Sequence, residues 1–102
     1  MRKRRSPLQP QQSKFAHMVV LLIMFAEGLG YEVTFGDAWA KSGHRKRSLH
    51  YIRLAVDLNL FKDGVWLKET KDHAYLGAFW EAMGGTWGGR FDDGNHYALK
   101  RK

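Results

Sequence analysis

Leu54-Ala55-Val56-Asp57-Leu58-Asn59-Leu60-Phe61 decides how this chain folds. Leu54, Val56, Leu58 and Leu60 alternate with Ala55, Asp57, Asn59 and Phe61, which is the period-two pattern of a strand with one aliphatic face. Asp57 therefore lies at mid-strand, turned away from the core. Lys62-Asp63-Gly64 is a turn signal, and Val65 to Leu67 can return beside the first strand as a hairpin.

Outward from the hairpin, two helices are expected. Between Ser13 and Gly30, Phe15, Val19, Leu22, Ile23 and Ala26 recur at helical spacing, with Ser13 as cap and Gly28 and Gly30 as terminators. Asp72 caps a second helix through Tyr75, Leu76, Phe79, Trp80 and Met83, stopped by Gly84-Gly85. Tyr31 to Phe35 and Asn95 to Leu99 are short strand candidates, and the basic stretch from Gly36 to Arg47 reads as a loop or short helical turns. Strands interspersed with helices in this order predict an α+β fold: one small domain with an antiparallel sheet of three to four short strands packed with two to three helices. Residues 1–13, with Pro7, Pro10 and three Gln, read as a basic flexible lead-in, leaving 14–102 as the domain.

A chain of 102 residues forms one core. With no cysteine it has no disulfide, thiolate metal cluster or cysteine nucleophile, so any metal falls to His, Asp or Glu. The net charge of +7 predicts attraction to a polyanion such as nucleic acid, anionic lipid or cell-wall polymer. Arg2 to Arg5 followed by the apolar run Met18 to Ala26 has the outline of a secretory signal. The polar spacer with Lys14 and His17 and the lack of a small-x-small cleavage site argue against one. Nine apolar residues are also too few to span a bilayer.

His50, Asp57 and His96 are the candidate metal ligands. Two imidazoles and a carboxylate make a three-ligand set of the catalytic zinc type, with a fourth position left for the water that becomes the nucleophile. A bend near Tyr51 to Arg53 would let a loop-borne His50 fold back over the face that carries Asp57, and His96 would join them if the last strand lies beside the Asp57 strand. A mid-strand carboxylate needs a charge partner or a metal. Spacing alone leaves both open, since Arg53 or Arg90 could supply an ordinary ion pair.

The run Ser48-x-His50 followed by Leu54 to Phe61, with Trp87-Gly88-Gly89-Arg90-Phe91 and Asp93-Gly94-Asn95-His96-Tyr97 downstream, resembles the M15 family of zinc peptidases. The likeness runs from about Phe15 to Leu99 and is nearest to the phage endolysins that act as L-alanyl-D-glutamate peptidases. D-alanyl-D-alanine carboxypeptidases are more distant. The resemblance implies a hedgehog/DD-peptidase-like fold, Zn2+ on His50, Asp57 and His96, and Asp93 as general base. Only Asp93, not Asp92, has the three-residue spacing to His96. Two positions depart from the family. Arg53 stands where many members have glycine, and Ala40 stands at or near a position where many have arginine. Lys41, Arg45, Arg47 and Arg53 are candidates to replace that arginine, Arg53 foremost. Ser48, Trp87 and Phe91 are further candidate substrate contacts, the two aromatics as groove residues in a glycine-rich loop.

The resemblance implies a zinc peptidase, expected to be monomeric, that cleaves the L-alanyl-D-glutamate bond of the peptidoglycan stem peptide. Such a lysis protein would be made in the bacterial host cytoplasm and act on the wall after release, with no transmembrane segment and no specific nucleic-acid partner. A D-alanyl-D-alanine carboxypeptidase and a basic nucleic-acid-binding module are the rival readings.

Overall fold

The structure, a computed structural model, describes residues 8–36 and 52–100. Its sheet is built around β2 (Ala55–Lys62). Leu54, Val56, Leu58 and Leu60 are buried on one side of this strand, while Asp57, Asn59 and Phe61 on the other are only half-buried. At its end Asp63 and Gly64 take left-handed φ angles of 51° and 79°. That two-residue turn matches the twist of the flanking strands, and β3 (Val65–Leu67) returns with Val65 opposite Lys62.

β1 (Glu32–Phe35) runs antiparallel along the other edge of β2, from Glu32 opposite Phe61 to Phe35 opposite Leu58. Nearer the start of β2, on the edge that β3 also uses, β5 (His96–Ala98) is paired antiparallel, and β4 (Thr86–Trp87) pairs outside β5. The order is β1-β2-β5-β4 with β3 beside β2. The expected α+β class holds, with one strand more than its pattern announced. β4 has two residues and is too short to leave a periodicity.

The aliphatic face of β2 is covered by α1 (Gln9–Gly28), through Phe15, Met18, Val19, Leu22 and Ala26, and by α2 (Ala74–Ala82), through Leu76 and Trp80. Tyr97 and Leu99 complete this core. Trp80 meets the cost of burying its indole by donating its N–H to the carbonyl of Ala98 at 2.8 Å. The apolar run Met18 to Ala26 thus supplies core residues. Among the described residues no helix is long and apolar enough to cross a membrane.

Two helix starts differ from expectation. α1 begins at Gln9 rather than Ser13, so residues 9–13 belong to the helix rather than to a flexible lead-in. Pro10 lies in the first turn, where its missing N–H had no intrahelical partner to lose. The second helix opens with a 3₁₀ turn, Thr70–His73, before α2. Asp72 caps from inside that turn, accepting the backbone N–H of Glu69 at 3.0 Å, rather than from the residue before the helix.

Candidate active site

The site is laid out by the pairing of β2 with β5. Leu99 N–H donates to the Leu54 carbonyl at 2.8 Å and Leu58 N–H to the Asn95 carbonyl at 2.9 Å. Asp57 lies opposite His96 between these bonds, at a non-hydrogen-bonded position of the ladder. Facing Cα atoms there are only about 4.5 Å apart and their side chains share one face. The outcome is direct contact: Asp57 Oδ1 and His96 Nδ1 are 3.1 Å apart, both side chains about a quarter exposed. On the opposite edge the Asp57 carbonyl accepts the N–H of Gly36 at 2.7 Å, which holds this part of β2 from both sides.

The hydrogen bond to Asp57 raises the pKa of His96, opposed by burial and helped by the charges of Asp57 and Asp93. Asp93 is brought to the pair by a tight turn in which His96 N–H donates to the Asp93 carbonyl at 3.1 Å. This turn is the physical content of the three-residue spacing between the two. Asp93 N–H in turn donates to the Gly88 carbonyl at 2.9 Å. Gly88 is buried so closely that a Cβ there would overlap the Asp93 carbonyl and lie 2.9 Å from the His96 Cβ. Next along, Gly94 receives two holds. Its N–H donates to Thr70 Oγ1 at 3.2 Å, and its carbonyl accepts the Trp87 indole N–H at 2.7 Å.

Trp87 is therefore a part of the frame under the loop. Its ring abuts both Gly77 of α2 and Gly89, at either of which a Cβ would overlap it. Nothing in the sequence distinguishes such glycines from turn glycines. Phe91 is 82% exposed at the end of the 3₁₀ turn Gly88–Phe91. Arg90 is engaged elsewhere, with Nε and Nη2 on the Glu81 carboxylate at 2.9 and 3.1 Å, so the ion pair it might have made with Asp57 is not formed. Arg53 is exposed and has a left-handed φ of 58°. His50, Ser48, Arg45, Lys41, Arg47 and Ala40 lie outside the described residues.

Could these side chains hold zinc? With bonds of about 2.0–2.1 Å, a tetrahedral ion keeps its ligand atoms roughly 3.3 Å apart. Asp57 Oδ1 and His96 Nδ1 at 3.1 Å fit two neighbouring corners. No group of three potential ligands is found among the described residues, and the third sequence candidate, His50, is not among them.

The comparison with known families bears directly on this geometry. A model of M15 peptidases, described as D-alanyl-D-alanine carboxypeptidase, matches residues 41–99, more than half of the chain. The chain belongs to the M15 peptidase family. The matched span contains β2, the loop that carries Asp93, and β5, so the M15 match covers every described residue of the site. M15 peptidases are generally zinc-dependent and act on peptidoglycan. No curated protein sequence matches the chain.

Proposed function

We propose that this M15 peptidase is a zinc-dependent endolysin-type hydrolase that cleaves the L-alanyl-D-glutamate bond of the peptidoglycan stem peptide. One observation carries the reading: β2 and β5 pair in the register that sets Asp57 against His96, with Asp93 tied to His96 through the turn between them. Asp57 and His96 would hold the metal together with His50. Bound zinc supplies Lewis-acid chemistry, acidifying a water and polarising the scissile carbonyl. Asp93 would act as general base, taking a proton from the attacking water and returning it to the leaving amine. Its exposed position suits a group that must meet both water and substrate.

The phage-lysis assignment draws on the likeness of the Ser48-x-His50 and Asp93-x-x-His96 motifs to endolysins. In that setting the protein is made in the host cytoplasm and reaches the wall on release, where its net charge of +7 favours the anionic polymer. The family description favours a second reading, D-alanyl-D-alanine carboxypeptidase.

Mass spectrometry of digested muropeptides separates the two. New N-terminal D-glutamate is expected, and release of free D-alanine would overturn the endopeptidase assignment. In the same assay Asp93→Asn should lose at least about a hundredfold in turnover while retaining zinc, a typical loss for a general base. His96→Ala should lose both activity and metal.

A further inference from the structure

β5 and β3 share one edge of β2 but do not meet. β5 covers that edge as far as Leu58, which donates to Asn95, and β3 ends with Leu67 opposite Leu60. Asn59, between them, pairs with Thr34 on the far edge. The gap costs no backbone hydrogen bond, because alternate residues of a strand direct their N–H and C=O to opposite edges. In it opens a pocket of about 180 Å³, lined by Asn59, Trp66, Leu67, Lys68, His73 and Asn95.

The chemistry of these walls is selective. Two carboxamides and one ammonium line the pocket, and none of the described residues that line it is acidic. The Lys68 ammonium is held 4.9 Å over the Trp66 ring, while neighbouring Glu69 is engaged by Lys71 at 3.1 Å. His73 is 1% exposed, and its Nδ1 lies 2.7 Å from the Tyr97 hydroxyl. Its second ring nitrogen has no hydrogen-bond partner among the described residues. Burial drives the His73 pKa down to about 4, so the ring is neutral. If the Tyr97 O–H donates to Nδ1, Nε2 carries the ring proton and is a buried donor that lacks an acceptor.

We propose that this pocket binds a carboxylate of the peptide substrate. The carboxylate would meet Lys68, the amides of Asn59 and Asn95, and the Nε2–H of His73. Asn59 follows Asp57 by two residues on the same face of β2, which sets the pocket about 7 Å along the strand from the Asp57–His96 pair. A carboxylate on the residue that supplies the leaving amine spans that distance. This assignment rests on the peptidase reading, since it names the part of the same substrate that is held beside the reacting bond.

The test uses the zinc-loaded full chain and two fragments that cannot be cleaved at the alanyl bond, D-glutamyl-L-lysine and its D-isoglutaminyl counterpart. By NMR, the acidic fragment should shift the Trp66 indole and His73 ring signals at about tenfold lower concentration than the carboxamide. Lys68→Met, at an exposed position that does not threaten folding, and Asn59→Ala should erase that preference. Equal binding of both fragments, or no movement of those signals, overturns the proposal. A parallel assay compares kcat/KM on stem peptides with free or amidated glutamate. Cleavage of both at the same rate defeats the pocket assignment and leaves the peptidase reading standing. If neither is cleaved while the acidic fragment still binds at Trp66 and His73, the pocket stands and the bond assignment falls.

Discussion

Arg53 shows what a side-chain reading of this sequence misses. As a cation before β2 it reads as a substrate contact, but its φ of 58° is a conformation that costs an L-residue about 1 kcal/mol or more and glycine nothing. A glycine at this point, as the family resemblance implies, would have its explanation in the backbone. Arg53→Gly and Arg53→Ala both remove the guanidinium, and the Gly variant should be the more stable by about 1 kcal/mol in urea titrations. Equal stability would mean that the backbone conformation is not what that position requires. Gly88 is the reverse case, a glycine fixed by its neighbours. A methyl group there would displace the Asp93 carbonyl or the His96 Cβ. Because a displacement of about 1 Å can cost a hundredfold in rate, Gly88→Ala should lose activity to about that extent with an unchanged far-ultraviolet dichroism spectrum. Asp57 was legible in the alternation of β2. Its meeting with His96 was legible only on the condition that the last strand lies beside β2, and from the family motifs, because strand register is a long-range property that neither segment encodes alone.

Between α2 and β5 the chain makes no long regular element, yet it is closely held. Trp87 lies against Gly77 and Gly89 and bonds to Gly94, while Thr70 grips Gly94 from the preceding 3₁₀ turn. Asp93 stands at the end of that chain of contacts. Trp87→Phe keeps an aromatic ring between the glycines and removes only the indole donor, so thermal unfolding should show a loss of about 1 kcal/mol. Gly77→Ala instead forces the ring out of its place and should cost about 1–3 kcal/mol, the range for overpacking a filled site. The reverse ranking in unfolding measurements would show that the hydrogen bond, not the fit of the ring, fixes the loop. The ends of these elements were partly readable. Gly84 stops α2 with a φ of 97°, and Asp63-Gly64 turns the hairpin, as their types suggest. Pro10 misled because proline terminates a helix anywhere but in its first turn, and a sequence does not say which turn it occupies. The gap opposite Asn59 had no local sign, since it depends on where two other strands stop.

At the scale of the molecule, His73 is the one buried polar side chain among the described residues, and it contributes to the response to acid. Buried His73 is neutral in the folded protein, with its pKa lowered by burial to about 4 from the ordinary 6.5. Between those two values the unfolded chain binds a proton that the folded chain excludes, so stability rises with pH across the interval. Above about pH 6.5 the stabilisation is complete. As pH falls towards 4 it is lost, and below 4 the folded form is protonated as well, so the loss levels off. At 1.36 kcal/mol per pH unit the full effect is about 3 kcal/mol, a large share of the 5–15 kcal/mol typical of a domain. Carboxylates titrate in the same range, so the measurement must be differential. Urea unfolding at pH 7, 5.5 and 4 should give a steeper decline for the wild-type chain than for His73→Gln, which cannot take up a proton. The difference between the two slopes belongs to His73. If the two curves run parallel from pH 7 to 4, the imidazole is protonated as readily in the folded protein as in the unfolded one. The pocket beside it would then admit enough water to solvate the charge.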